Sequence, residues 1–262
     1  TYLFVIIILV KEKKNYTHVG ILSAMPEEIG LILEKLKSID TKSFGDLTIY
    51  TGELITNSEK KIFVSTAWSG WGKVSAARAS TRLLSTEANK VPVELALFTG
   101  VAGGVDRKLH QWDIVISDSI MQHDMDARPL FEKHVIPALN KKKLYPNEIL
   151  LNNLFYSLEK KLNDGKLENF GSIFKGLIAT GDMFINDQEK IEKLSNEING
   201  LLAVEMEGAA FAQVATQEKV DWLVMRVISD GANEGAVDDF KEFIIKYKLK
   251  SFELIKCFLE AI

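Results

Sequence analysis

Apolar and polar positions along this chain follow two periods in turn, one suited to strands and one to helices. Val19 to Ala24 is a short apolar run and reads as a buried strand. Pro26 follows where a helix would start, with Glu27 and Glu28 in its first turn and Ile29, Ile32, Leu33 and Leu36 on its buried face. Leu47–Tyr50 and Lys61–Ala67 read as strands flanking a turn at Asn57-Ser58, and Lys73 to Glu87 reads as a helix. Val93 to Thr99 predicts a buried strand that ends in the glycine-rich turn Thr99-Gly-Val-Ala-Gly-Gly104. Further strands are expected at Asp113–Ile120, Gly176–Thr180, Ala203–Met206 and Trp222–Ile228. Helices are expected at Asn147–Leu162 and Gln188–Asn196, and Asp238–Ile262 reads as one long closing helix. Strand and helix in alternation predict an α/β layered fold. No internal repeat and no Pro/Gly/Ser-rich linker divides the chain, so residues 17–262 read as one domain.

Composition adds exclusions. The chain has 262 residues, 47% hydrophobic and 26% charged, which is ordinary for a globular protein with a sizeable core. A formal net charge of -4 gives no reason to expect nucleic-acid binding. One cysteine, Cys257, excludes an internal disulfide framework and a Cys-rich zinc site. The four histidines show neither HxxxH nor HExxH spacing, so no metal is expected. Residues 1–16 read as an apolar and basic extension. Leu3–Val10 is an unbroken apolar run followed by Lys11-Glu12-Lys13-Lys14. It is too short to span a bilayer. It has the look of a leader core, yet no basic residue precedes it and no small-x-small cleavage site follows. A cytoplasmic location is expected, with export as the alternative. Lys141-Lys142-Lys143 reads as a solvated loop.

The chemistry collects where strands end. In open α/β sheets, ligands bind beyond the carboxyl ends of the strands. Ala203-Val-Glu-Met-Glu-Gly208 puts two carboxylates where a strand runs into a helix, and burying a carboxylate is costly unless something pairs with it. Past the other strands stand Glu28, the glycine-rich turn, Gly181-Asp-Met-Phe-Ile185 and Ser229-Asp230. Glu28, Glu205, Glu207, Asp230 and Phe184 are therefore expected on one edge. Cleaving a glycosidic bond to a base needs an acid for the leaving group and a base for water. Asp230 and Glu28 suit those roles, Phe184 suits stacking on a flat heterocycle, and Glu207 suits sugar hydroxyls. The glycine-rich turn lacks both P-loop and GxGxxG spacing, which favours close backbone approach to a nucleoside over phosphate binding.

Eight motifs stand in one order: Gly20-Ile-Leu-Ser-Ala-Met-Pro-Glu-Glu28, Ser69-Gly-Trp-Gly-Lys-Val74, Thr99-Gly-Val-Ala-Gly-Gly104, Asp113-Ile-Val-Ile-Ser-Asp118, Gln122-His-Asp-Met-Asp126, Gly181-Asp-Met-Phe-Ile185, Val204-Glu-Met-Glu-Gly208 and Arg226-Val-Ile-Ser-Asp230. From Val19 to the final helix the chain resembles the 5'-methylthioadenosine/S-adenosylhomocysteine nucleosidases, in the wider superfamily of purine nucleoside phosphorylases. The resemblance implies a three-layer α/β/α sandwich around a mixed, partly barrel-like central sheet. It implies hydrolysis of the adenine–ribose bond without cofactor or metal. Asp230 would protonate adenine N7, oriented by Ser229, and Glu28 would activate water, helped by Arg226. Glu207 and Met206, with Glu205 beside them, would hold the ribose. Phe184 would stack on adenine, and the Ile185 backbone would read its edge. Met25, Trp71, Val101, Ala102 and Gly103 would line the pocket, and Phe240 would cap the 5'-alkylthio group. The resemblance also implies a homodimer in which the neighbour's loop 125–137, with Met125, Phe131 and Pro137, closes that pocket.

This sequence departs from the family pattern in four places. Val101 stands where many members have a serine near the water, Trp71 replaces a smaller aliphatic residue, the stretch around Arg128-Pro129-Leu130-Phe131 is short, and the N-terminus is extended. Two alternatives stay open at this point. A phosphate-dependent purine nucleoside phosphorylase would share the fold, although Met25-Pro26-Glu27-Glu28 sets a carboxylate where such enzymes hold phosphate with arginines. An exported relative with an added glycosaminoglycan-binding role would use the lysine clusters. Methylthioadenosine, S-adenosylhomocysteine, 5'-deoxyadenosine and a futalosine-type nucleoside are not ranked by the sequence.

Overall fold

The computed structural model describes residues 14–56, 59–231 and 236–262. The apolar run Leu3–Val10, the lysines before Lys14 and the turn at Asn57-Ser58 lie outside the described residues. In chain order the elements are β1 (His18–Ser23), α1 (Pro26–Ile29), α2 (Ile32–Lys35), β2 (Lys37–Phe44), β3 (Leu47–Ile55), β4 (Lys61–Trp68), α3 (Lys73–Leu84), β5 (Glu87–Ala88), β6 (Val91–Pro92), β7 (Leu95–Gly104) and β8 (Ile114–Gln122). They continue with α4 (Glu148–Asn163), β9 (Ile173–Thr180), α5 (Gln188–Glu197), β10 (Leu201–Glu205), α6 (Gly208–Glu218), β11 (Asp221–Asp230), α7 (Ala236–Tyr247) and α8 (Ser251–Ala261).

The main sheet runs β10-β9-β8-β11-β7-β1-β4-β3-β2. β7 is parallel to β1 and β11, while β8 is antiparallel to β11 and β3 to β4, so the sheet is mixed. The end of β7 turns back onto β10, pairing Gly103 with Val204 and Gly104 with Ala203. That pairing closes β7, β11, β8, β9 and β10 into a ring and leaves β1, β4, β3 and β2 as an open wing. One face of the sheet packs against α1, α4, α7 and α8 through Ile29, Leu154, Phe243 and Phe258. The other packs against α3 and α6 through Ala76, Leu83, Ala209 and Phe211. The three layers and the partly closed mixed sheet are as the family resemblance implies.

Four local expectations are corrected. The glycine-rich segment is no turn: β7 runs on through Thr99–Gly104 because β10 and β11 both pair with it there. The first helix is broken in two at Gly30, whose φ is 61°. A Cβ there would lie 2.7 Å from the Lys248 carbonyl oxygen and would overlap the Ser251 hydroxyl. The closing helix is likewise two helices, α7 and α8, because the chain turns at Lys248–Lys250 against that glycine and so packs two apolar faces. β2 is an added strand. Its residues are exposed almost throughout, and it hydrogen-bonds to β3 at the sheet edge, where lysines discourage further pairing.

Candidate active site

Glu28 lies where β1 hands over to α1, and the opening of a helix leaves backbone N–H groups without partners. The side chain folds back to satisfy them. Its Oε2 accepts from the N–H groups of Ala24 and Met25, each at 2.9 Å, and its Oε1 accepts from the Val101 N–H at 2.9 Å. Burial pushes the Glu28 carboxyl above the usual carboxylate range, against the pull of Arg226 and of those three N–H groups. Gly100 makes this approach possible, because a Cβ at that position would overlap both Glu28 Oε1 and Arg226 Nη1.

Arg226, on β11, is fully buried with its guanidinium 4.6 Å from the centre of the Phe98 ring. Nη2 pairs with Glu205 and stands 3.5 Å from Glu207 Oε2, while Nη1 is 4.0 Å from Glu28 Oε1. Burial works to lower the guanidinium's pKa, but Glu205, Glu207 and Glu28 outweigh it and raise it, so the cation persists. Among the described residues, Nε and Nη1 meet no hydrogen-bond acceptor.

Glu205 is fully engaged. It accepts from the Thr180 hydroxyl and from the N–H groups of Glu207 at 3.1 Å and Gly208 at 2.7 Å, in addition to its pairing with Arg226. It therefore anchors the start of α6 and the arginine. Glu207 is the freer carboxylate. Its Oε1 accepts from the Gly72 N–H at 2.8 Å, and its pKa is pushed up to about 8 by burial and then by repulsion from Glu205, against the pull of Arg226. Asp230 ends β11 beyond an irregularity in the ladder, and the Ser229 hydroxyl donates to its Oδ2 at 2.6 Å.

These groups meet in one pocket. Met25, Glu28, Trp71, Val101, Ala102, Gly103, Phe184, Ile185, Glu205, Met206, Glu207, Ser229, Asp230 and Phe240 all line it. Arg226 lies behind them, among the three glutamates. Phe240 stands edge-on to Trp71 at 6.0 Å and to Phe184 at 6.1 Å, forming an aromatic rim. Val101 offers its backbone N–H to Glu28 and has no side-chain hydroxyl to present to the pocket. Met125, Phe131 and Pro137 do not line this pocket; their loop folds on itself, the Met125 carbonyl accepting from the His134 N–H at 2.8 Å. Lys14 pairs with Asp221 and Lys142 with Glu132, so two lysines of the basic clusters are already matched by acids.

The arrangement sets the carboxyl groups of Glu28 and Asp230 on one apolar pocket, with the buried Arg226 cation beside Glu28. Residues 18–260 match the family model of the phosphorylase superfamily. A 5'-methylthioadenosine/S-adenosylhomocysteine nucleosidase of Staphylococcus epidermidis is 32% identical over 246 residues, covering 93% of this chain and 100% of that protein. The chain belongs to this nucleosidase family, within the phosphorylase superfamily. Solved nucleosidase structures agree. That of Colwellia psychrerythraea 34H in complex with adenine superimposes with a TM-score of 0.82 at 30% identity, covering 94% of this chain and 96% of that one. A futalosine hydrolase of Helicobacter pylori superimposes with a TM-score of 0.79 at 29% identity, covering 94% of this chain and 98% of that one.

Some parts of the nucleosidase pocket escaped sequence reasoning. Ala24, Met183 and Val204 also line it, and Gly72 gives Glu207 a backbone donor. Gly72 stands inside the Ser69–Val74 motif, so that motif was a usable signal. The exposed Met183, beside Phe184, likewise stands inside the Gly181–Ile185 motif.

Proposed function

We propose that this protein hydrolyses the N-glycosidic bond of 5'-methylthioadenosine and S-adenosylhomocysteine, releasing adenine and the 5'-thioribose. The observation that carries the reading is the single pocket shared by Glu28, Asp230, Glu207 and Phe184. Asp230, oriented by the Ser229 hydroxyl, protonates adenine at N7 as the C1'–N9 bond breaks and its electron pair moves into the ring. Water adds its oxygen to C1' and gives its proton to Glu28. A carboxyl raised by burial is a stronger base than a solvated one, which suits Glu28 to that step. The unmet N–H groups of Arg226 beside Glu28 are donors for that water. Positive charge gathers on the ribose ring in the transition state, and the carboxyl of Glu207 binds the sugar hydroxyls. Phe184 stacks on the base.

A second copy of the chain completes the pocket in this proposal. Trp71, Val74, Leu130, Phe131 and Met183 expose apolar surface, and loop 125–137 leaves its own pocket uncovered and is available to a neighbour's. A homodimer accounts for both. Among the described residues no helix is long and apolar enough to cross a membrane. A small nucleoside substrate fits a cytoplasmic location.

The test is release of adenine from methylthioadenosine in phosphate-free buffer, with S-adenosylhomocysteine, 5'-deoxyadenosine and futalosine run beside it. Release at a rate indifferent to phosphate supports hydrolysis. A strict phosphate requirement would assign the chain to the phosphorylases instead, and no release from any of the four would sink the reading.

A further inference from the structure

The N-terminus of α3 has no side-chain cap of its own: its cap position is Gly72, with φ 92°. Carboxylates from elsewhere take up its first N–H groups. The Gly72 N–H donates to Glu207, as described, and the Lys73 N–H donates to Asp182 Oδ1 at 2.7 Å. Asp182 lies between β9 and α5, two residues before Phe184. Its own N–H donates to Asp124 Oδ2 at 3.0 Å, and Asp124 Oδ1 accepts from Lys73 Nζ at 2.7 Å. Lys73 Nζ also reaches Gln122 Oε1, at 3.3 Å, at the end of β8. Three bonds thus form a closed ring among Lys73, Asp182 and Asp124, tying the N-terminus of α3 to the ends of β8 and β9, which pair with each other as far as Gln122 and Thr180. One side of the ring is continuous with Phe184 and Ile185. The other is continuous with the N–H that holds Glu207.

From this ring we infer that Asp182 is a positioning residue, which fixes the base wall of the pocket against the donor that holds the sugar-binding Glu207. The inference rests on the function proposed above, since it assigns Phe184 to the base and Glu207 to the sugar. Asp182 touches neither, and it does not line the pocket. It is exposed, so its removal leaves no hole in the core. What its removal loosens is registry. With the ring open, the 181–185 segment and the N-terminus of α3 move independently, and a substrate must order both before both ends of it are held. Asp124 serves the same ring from the β8 side.

The experiment compares wild type with Asp182→Ala, Asp182→Asn and Asp124→Asn in three readouts: steady-state kinetics on methylthioadenosine, adenine affinity by calorimetry, and amide exchange. Asp182→Ala is expected to raise KM roughly tenfold or more, with a smaller change in kcat. It is also expected to speed exchange at 70–74 and 181–187 while the strands of the ring stay protected. Asp182→Asn keeps an acceptor oxygen for the Lys73 N–H and recovers part of the loss. Asp124→Asn gives the same direction of change. Kinetics and adenine affinity within twofold of wild type in Asp182→Ala would overturn the inference. So would a loss of exchange protection throughout the protein, which marks a general structural role. If wild type itself releases no adenine, the proposed hydrolysis fails separately, and the positioning role is still read from adenine affinity and local exchange.

Discussion

Gly100 imposes a tight steric demand behind the pocket, and the reason is the pair of charges it lets approach. Glu28 and Arg226 come together over a position with no Cβ. Around them, each carboxylate has a different set of neighbours and hence a different task. In the proposed hydrolysis, replacing Asp230 or Glu28 should each remove roughly 100-fold or more of the turnover. Asp230→Asn and Glu28→Gln are therefore expected to be folded, binding-competent and nearly inactive, as measured by kcat with thermal melting as the control. Glu207 gives a signature of another kind. Its folded pKa, about 8, lies above the ordinary glutamate value of 4.5. A carboxyl raised in this way contributes to stability below its unfolded pKa, and that contribution is lost as pH rises through the folded one. Wild type should therefore lose thermal stability relative to Glu207→Gln as pH climbs from 4.5 to about 8, and substrate analogues with sugar hydroxyls should narrow the gap. A difference that stays flat with pH in paired melting curves would contradict this. Much of this residue-level picture was legible beforehand, because acidic residues past apolar strands are costly unless used. The backbone donors were not legible: no side-chain pattern announces that the N–H groups of Ala24, Met25 and Val101 converge on one carboxylate.

At the scale of elements, the interiors of long periodic segments were readable and the places where packing overrides period were not. The apolar spacing of Ile29, Ile32, Leu33 and Leu36 continues through Gly30 as though one helix ran there, because periodicity does not register a backbone reversal of φ. The same contact breaks the closing helix, so both misreadings have one cause in the meeting of Gly30 with Lys248 and Ser251. Gly30→Ala should accordingly be costly: it forces a Cβ into that contact at a left-handed φ. A loss of about 1–3 kcal/mol is expected from the backbone strain and the displaced neighbours. Urea denaturation reads it directly, and an unchanged midpoint would mean the two segments part freely. The extension of β7 through Thr99–Gly104 was hidden for a different reason. Glycine-rich sequence reads as a turn locally, and only pairing from β10 and β11 makes it a strand. β2 was hidden because its residues face solvent, where a strand needs no apolar alternation.

For the whole molecule, a layered α/β arrangement followed from the order of strands and helices, while the three layers and the partly closed sheet came only with the family resemblance, since strand closure depends on partners far away in the chain. The same holds for assembly. Leu130 is 84% exposed and Val74 81%, apolar surface that a second copy would cover in the proposed dimer. Sedimentation velocity should report a dimer at micromolar concentration, and Leu130→Asp should shift it toward monomer while raising KM, because the neighbour's loop then leaves the pocket. A wild-type monomer at full activity would refute the shared pocket.

The pairing of Gly103 with Val204 also has a temporal meaning. Glu28 and Val101 come from the first half of the chain, and Glu207, Arg226 and Asp230 from the last quarter, so a ribosome has made nearly the whole protein before the pocket can exist. Closing so distant a contact has a high entropic cost and comes late. Before that closure the 103–104 end of β7 lacks its β10 partner, and an unpaired strand edge is open to pairing with other chains. Competence and protection from aggregation are thus acquired in the same step, when the ring shuts.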